Sequence, residues 1–251
     1  MMDIELARRV FSCIDNTTLT GTDSEQSVEA FCRRTLDMSL ADGTTVAAVC
    51  VYPRFVAAAR RVLEGSGVKV ASVAGAFPHG QLPIGLKVDE VRQAVDDGAD
   101  EVDIVINRGL LLSGEENVMR DEVAAMKEVC QGRTLKVILE CCELPSPTLL
   151  RRAAELAVDG GADFIKTSTG KGASGATLEA AREMLEVVAN YVKICKKTIG
   201  FKAAGGIRTP EEALLYAEEA KKIIGDNYIN NQTFRIGASS LTDKLFSFLT
   251  L

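Results

Sequence analysis

Short apolar runs alternate with longer amphipathic segments along the whole chain. The runs predict eight strands, at 14–19, 46–53, 69–77, 101–107, 135–141, 164–169, 199–205 and 234–239. Apolar residues at helical spacing predict helices near 24–38, 54–64, 87–98, 117–130, 176–196 and 240–249. Two further helices start near 147 and 210, because Ser146-Pro147 and Thr209-Pro210 place a capping hydroxyl before a proline, and Glu212 completes a capping box with Thr209.

Eight strands, each followed by a helix, in 251 residues without a linker fit a (β/α)8 TIM barrel. The chain is therefore expected to form one α/β domain over 1–251. An open doubly wound sheet is the alternative, but no GxGxxG follows the first strand. In a barrel of this kind the active site lies at the C-terminal ends of the strands.

An internal repeat fixes the register of two strands. The tripeptide Gly-Ala-Asp precedes both the fourth strand, at 98–100, and the sixth, at 161–163. Asp103 and Lys166 each lie three residues past the Asp of the repeat. On the fourth strand the continuous apolar face should meet the helices, so Asp103, and by register Lys166, should point into the barrel.

Lysines occur on two neighbouring strands, Lys166 in FIKTSTG and Lys202 in GFKAAGG. Two unrelated, individually paired lysines are the plainer interpretation, but barrel interiors are mostly apolar and a buried unpaired charge is costly. Two ammonium groups roughly 5 Å apart at an effective dielectric of about 20 repel by about 3 kcal/mol, or about two pKa units. One of them is then a free amine near neutral pH, as a Schiff-base nucleophile requires, and Asp103 is its proton shuttle and the partner of the other ammonium.

Glycine-rich turns follow the last two strands. Gly205-Gly206 follows the seventh strand, and Gly237 to Ser240 follows the eighth at the start of the last helix. Such turns either only reverse the chain or bind phosphate through backbone N–H groups, and their pairing beside the lysines favours a phosphorylated ligand. Lys171, in the TGKG turn, adds a positive charge. Glu140, which ends the fifth strand, is either a site residue or a structural hydrogen-bond partner.

Composition excludes several classes of function. The net charge of −6 argues against nucleic acid or an anionic membrane as the main partner, and no run of 18 apolar residues suggests a membrane span. The seven cysteines show no CxxC spacing and the first residues resemble no secretory signal, so reduced thiols in the cytoplasm are expected. A lone histidine, His79 in FPHG, cannot supply the imidazoles of a zinc lyase, and no GxSxG is present.

The motifs together resemble the deoxyribose-phosphate aldolase family of class I aldolases. The resemblance rests on GADEVD (98–103), VYPRF (51–55), FPHG (77–80), FIKTSTGK (164–171), GFKAAGGIRT (200–209) and RIGASS (235–240), and runs from about Ile14 to about Leu241. It implies reversible cleavage of 2-deoxy-D-ribose 5-phosphate to acetaldehyde and D-glyceraldehyde 3-phosphate in deoxyribonucleoside catabolism. No metal or organic cofactor is implied, and a homodimer is suggested.

The resemblance also assigns roles to residues. Lys166 corresponds to the Schiff-base lysine, Lys202 to the second lysine that lowers its pKa, and Asp103 to the proton-shuttling carboxylate. The implied phosphate-binding residues are Gly205, Gly206, Gly237, Ser239 and Ser240, with Lys171 nearby. The implied pocket-lining residues are Asp15, Thr17, Cys50 and Thr169, although Cys50 from its place on the second strand alone is expected in the core.

One departure from the family keeps alternatives open. Many members continue into a polar tail that ends in tyrosine, whereas this sequence ends at Leu251. A weakly active or non-catalytic barrel with a binding or scaffold role is therefore the alternative to the aldolase. Among enzymes, a transaldolase-like lyase or a sugar-phosphate isomerase is the competing hypothesis, and an isomerase would not need a Schiff base.

Overall fold

Eight parallel strands close into a barrel, in the order of the chain, in the computed structural model, which describes residues 3–250. The strands are β1 (Ile14–Thr17), β2 (Ala48–Val51), β3 (Lys69–Ala74), β4 (Glu101–Val105), β5 (Thr134–Ile138), β6 (Phe164–Lys166), β7 (Gly200–Ala204) and β8 (Phe234–Ala238). The predicted (β/α)8 TIM barrel is confirmed. The observed strands are shorter than predicted because the apolar runs continue into the loops beyond the last paired residue, and Gly237 belongs to β8 rather than to the turn after it.

Ten α-helices surround the barrel in the described part of the chain. They are α1 (Ile4–Phe11), α2 (Glu25–Asp37), α3 (Val56–Leu63), α4 (Ile84–Asp96), α5 (Arg108–Leu112), α6 (Glu116–Glu128), α7 (Pro147–Asp159), α8 (Leu178–Cys195), α9 (Pro210–Ile223) and α10 (Leu241–Leu249). Short 3-10 turns lie at Pro53–Phe55, Cys141–Glu143 and Asp226–Tyr228. Two helices were not predicted: α1, which packs against α9 and α10, and the five-residue α5.

Local sequence signals have the predicted effects at two helix starts and at the repeat. Ser146 caps α7, and Thr209 with Glu212 forms the capping box of α9. In the repeat, a carboxylate oxygen of Asp100 accepts from the Val70 N–H at 2.8 Å, and one of Asp163 accepts from the Leu135 N–H at 2.7 Å. Each Gly-Ala-Asp element therefore fastens the start of its strand to the strand before it.

The faces of the strands separate the apolar core from the charged interior. Val102 and Ile104 of β4, and Ile106 just after it, belong to the core between barrel and helices, whereas Asp103 points inward, as its register predicts. In residues 3–250 no helix combines the length and the apolar character that crossing a membrane requires. Leu251, on which the tail comparison rests, lies outside the described residues.

Candidate active site

Asp103 binds three lysine side chains inside the barrel. Its Oδ2 lies 2.8 Å from the Nζ of Lys166 and 2.8 Å from the Nζ of Lys202. Its Oδ1 lies 2.7 Å from the Nζ of Lys136. Because two nitrogens share one oxygen, Lys166 Nζ and Lys202 Nζ cannot be more than about 5.6 Å apart, twice the 2.8 Å contact. Three cations hold the pKa of the buried Asp103 carboxyl well below its usual range, although burial itself acts in the opposite direction.

The two neighbouring lysines have different partners. Lys202 also donates to Asp15, whereas in the described chain Asp103 is the carboxylate that Lys166 contacts. Burial lowers the pKa of Lys166, the attraction of Asp103 opposes this, and the Lys202 ammonium lowers it further, so that the net direction is down. For Lys202 burial also lowers the pKa, but Asp103 and Asp15 together outweigh it, and the pKa is raised. Lys166 is therefore the lysine that more readily provides a free amine.

A second layer of buried ions was missed by the sequence reasoning. Lys136 lies 2.6 Å from Glu101, and Arg235 donates to Asp15 at 2.5 Å and to Glu101 at 2.7 Å. All four side chains are almost completely inaccessible to solvent. A signal was present, since Lys136 and Arg235 each stand between two apolar residues that face the helices, the same alternation that predicts the inward direction of Asp103.

A cavity of about 420 Å³ opens at the C-terminal ends of the strands, and Lys166 lies in its wall. The predicted residues that also line it are Thr17, Thr169, Lys171, Gly205, Gly206, Gly237, Ser239 and Ser240. Thr18 and Arg208 add polar groups that the sequence did not single out. Lys166 and the predicted phosphate-binding turns therefore share one cavity.

Asp15 and Cys50, expected in the pocket wall, do not form it. Asp15 is fully buried because its carboxylate pairs with Lys202 and Arg235 in the interior. Cys50 is fully buried in a small apolar cluster formed by β2 and β3, and burial raises the pKa of its thiol to about 11. Their side chains lie behind the cavity surface.

The loop after β6 is held close to the loop after β7. The N–H of Ala176 donates to the carbonyl oxygens of Ala204, at 3.2 Å, and of Gly205, at 3.0 Å. A Cβ at Gly175 would lie 2.0 Å from the Gly205 carbonyl oxygen, so only glycine permits this approach. Across the cavity Lys171 Nζ donates to the carbonyl oxygen of Leu19 at 2.5 Å. The cation of the TGKG turn is thereby fixed at the edge of the cavity.

Glu140 holds Thr169 in the same loop. Its carboxylate accepts from the Thr169 hydroxyl and, at 3.3 Å, from the Thr169 N–H. Glu140 is 2% exposed and has a φ of +54°, a conformation uncommon for residues other than glycine. Of the two roles left open for it, the structure shows the hydrogen-bond partner of a cavity residue. His79 is exposed in its turn and does not line the cavity.

The donors expected of a metal site are not grouped in the described chain. Within residues 3–250 no cluster of three His, Cys, Asp or Glu side chains is placed to hold a metal ion. The charged interior instead consists of alternating carboxylates and cationic side chains in direct contact.

Comparison with known proteins identifies related molecules. The profile of the DeoC/LacD family of aldolases matches residues 9–245. The solved structure of an aldolase designated QR15 is 33% identical, with 96% of each chain covered and a TM-score of 0.79. A tetrameric deoxyribose phosphate aldolase from Aeropyrum pernix is 26% identical, with 98% of this chain and 96% of that chain covered and a TM-score of 0.77.

Proposed function

Because the chain belongs to the DeoC/LacD family of aldolases, we propose that it is a class I aldolase that reversibly cleaves 2-deoxy-D-ribose 5-phosphate to acetaldehyde and D-glyceraldehyde 3-phosphate. The main support is the shared contact of Lys166 and Lys202 with one oxygen of Asp103, beside a cavity that only Lys166 of the three lines. This arrangement supplies a lysine amine, a second cation and a carboxylate, which are the groups that Schiff-base chemistry uses.

In the synthetic direction the free amine of Lys166 attacks the carbonyl carbon of acetaldehyde. Protonation of the resulting hydroxyl and loss of water leave an iminium ion. Asp103, acting through a water molecule, removes a proton from the adjacent methyl group. The electron pair of that C–H bond moves toward the iminium nitrogen and gives an enamine.

The enamine carbon then bonds to the aldehyde carbon of glyceraldehyde 3-phosphate. The aldehyde oxygen becomes an alkoxide and takes a proton from the network of Asp103 and Lys202. Water hydrolyses the new iminium, which releases the sugar phosphate and returns Lys166 as a free amine. Cleavage follows the same steps in reverse, so the lysine is regenerated in both directions.

The phosphate of the substrate is proposed to bind at the turns after β7 and β8. Gly205 and Gly206 have φ values of +90° and +81°, which turn their backbone at the cavity edge. Ser239 and Ser240 face them from the start of α10, and Lys171 adds a cation. Backbone N–H groups at a helix start and a nearby ammonium favour a phosphate dianion.

The wider setting follows from the resemblance and from composition. We propose that residues 1–251 form one domain, that the protein works in the cytoplasm in deoxyribonucleoside catabolism, and that it forms a homodimer without metal or organic cofactor. Its small-molecule partners are then a phosphorylated sugar and two aldehydes, with neither nucleic acid nor membrane as partner. Light scattering of the purified protein measures the assembly directly.

Trapping with sodium borohydride tests the chemistry. Acetaldehyde and borohydride should add an ethyl group to the peptide that contains Lys166, as seen by mass spectrometry. The exposed Lys222 is the internal control for nonspecific alkylation and should be modified far more slowly. A wild-type protein without an adduct at Lys166 would contradict the Schiff-base proposal and favour an isomerase.

Cleavage of 2-deoxy-D-ribose 5-phosphate is measured in parallel, with Lys166→Leu as the matched variant. Removal of a nucleophile is expected to lower the rate by about 10⁴-fold or more. Equal rates in the two proteins would mean that the activity belongs to a contaminant. That result would support the alternative of a barrel with a binding or scaffold role.

A further inference from the structure

The ions that the strands direct into the barrel carry one more positive than negative charge. Within the described residues, the inward cations that are buried are Lys136, Lys166, Lys202 and Arg235, and the inward carboxylates are Asp15, Glu101 and Asp103. If all are ionised, the layer has a net charge of +1. A buried excess charge is costly, and loss of one proton from a lysine removes it.

Contacts decide which cation loses the proton. Lys136 lies 2.7 Å from Asp103 and 2.6 Å from Glu101, and Lys202 contacts two carboxylates as well. Arg235 binds Asp15 and Glu101 and keeps its charge because guanidinium does not titrate in proteins. Lys166 has one carboxylate partner among the described residues and reaches the cavity, so deprotonation there breaks the fewest ion pairs.

We infer that Arg235 and Glu101 are positioning residues for the Schiff-base lysine, because together they set the charge of the buried layer that leaves Lys166 as the free amine. This inference rests on the proposed function. Neither residue lines the cavity, so each acts through others. Glu101 acts through Lys136 on Asp103, and Arg235 acts through Asp15 on Lys202.

Three further titratable groups lie near this layer. Glu140 is a buried carboxylate beyond the end of β5 that binds Thr169 in the cavity wall. Lys69 of β3 lies 3.2 Å from Glu101, but its side chain is 35% exposed, and water therefore screens its charge. The Cys50 thiol of β2 is neutral near pH 7, since its pKa is raised to about 11, mainly by burial. If both are ionised, Lys69 and Glu140 carry opposite charges, so the three groups together leave the net charge of +1 unchanged.

The test measures how the rate of trapping at Lys166 with acetaldehyde and borohydride depends on pH. Acetaldehyde has no titrating group, and borohydride, which decays faster at lower pH, decays equally for every variant. The shift, relative to wild type, of the rise of the rate with pH therefore reports the lysine. Glu101→Gln increases the buried positive charge and should shift this rise to lower pH. Arg235→Met decreases it and should shift the rise to higher pH, each by about one pH unit, as expected for one charge two ion pairs away.

The double variant Glu101→Gln/Arg235→Met restores the original net charge. Its profile should return to within about 0.3 pH unit of wild type. If Glu101 and Arg235 only supported the structure, the double variant would instead have the lowest trapping rate of the three variants. Lys69→Met is the matched control, because it removes a cation from the same Glu101 at a partly exposed position, and should shift the profile by less than about 0.3 pH unit.

The outcomes are separable from those of the proposed function. No wild-type adduct at Lys166 refutes the Schiff-base proposal itself. A wild-type adduct with single-variant profiles that do not move, or that move in the same direction, overturns the inference alone. If Arg235→Met does not fold, Glu101→Gln still decides, since it keeps the shape of the side chain: a profile unshifted or shifted to higher pH overturns the inference.

Discussion

Replacing Lys202 by methionine tests whether the second ammonium lowers the pKa of Lys166. The methionine side chain has nearly the length of lysine but carries no charge. In the structure Lys202 Nζ and Lys166 Nζ share Asp103 Oδ2 at 2.8 Å each. The variant therefore removes a repulsion on Lys166 and leaves the attraction of Asp103 in place.

The geometry sets the size of the effect. Two unit charges no more than about 5.6 Å apart repel by at least about 3 kcal/mol at an effective dielectric of about 20, which is about two pKa units. Both side chains are buried, so solvent does not reduce this value appreciably. The pKa of Lys166 should rise by about two units in Lys202→Met, and the free amine near pH 7 should fall about 100-fold.

The assay is the pH dependence of borohydride trapping at Lys166 with acetaldehyde. This readout includes only formation of the Schiff base and omits the later proton transfer proposed for Lys202. Removing one partner of a buried ion pair costs about 3–5 kcal/mol of stability, so urea unfolding and circular dichroism must show that the variant is folded.

The expected profile rises about two pH units later than that of wild type and reaches a similar rate at high pH. A folded variant whose profile is unchanged, or shifted to lower pH, would refute the electrostatic argument. A rate reduced equally at every pH would mean that Lys202 positions the nucleophile without changing its pKa.

Three further predictions concern packing, loop position and acid stability. Gly200→Ala should lower the free energy of unfolding by about 1–3 kcal/mol in urea titrations, because its Cβ would lie 2.2 Å from a ring carbon on β6, whereas Gly85→Ala, in open space on α4, should not destabilise. Glu140→Gln weakens a charged hydrogen bond to Thr169 and should raise KM for the phosphorylated sugar about 10-fold, while trapping of acetaldehyde stays unchanged; an equal loss in both assays would contradict this. The pKa of the Asp15 carboxyl is lowered in the folded protein, so the stability it contributes is present above its unfolded pKa of about 3.9 and is lost as the pH falls through the folded pKa. Asp15→Asn should therefore lose less stability than wild type between about pH 4 and 2, and parallel curves would refute this.

The fold was largely predictable from local patterns. Apolar runs with helical segments between them predicted all eight strands, and proline after a capping hydroxyl located the starts of α7 and α9. Helix α1 was missed although Leu6, Val10 and Phe11 have helical spacing, because a barrel pattern predicts a helix after each strand and none before the first. Its buried apolar side chains lie on a helix that packs against α9 and α10.

Part of the site was predictable for the same reason. The repeat Gly-Ala-Asp fixed the register of Asp103 and Lys166, and alternation along a strand then predicted that both point inward. The glycine turns predicted one edge of the cavity. Asp15 was expected in the cavity wall, but its carboxylate is drawn into ion pairs with Lys202 and Arg235 that no local pattern indicates.

The sequence by itself determined the barrel and the inward direction of Asp103 and Lys166, because these depend on short periodic patterns. Only the tertiary structure gave a physical choice between Lys166, which the resemblance had already named, and Lys202 as the lysine that more readily loses its proton. That choice depends on how many carboxylates each ammonium contacts, and partners such as Asp15 and Arg235 are 220 residues apart in the chain. Closure of the barrel brings them within 2.5 Å of each other. Because the interior excludes water, the pKa of each buried group then depends on the charges of all the others.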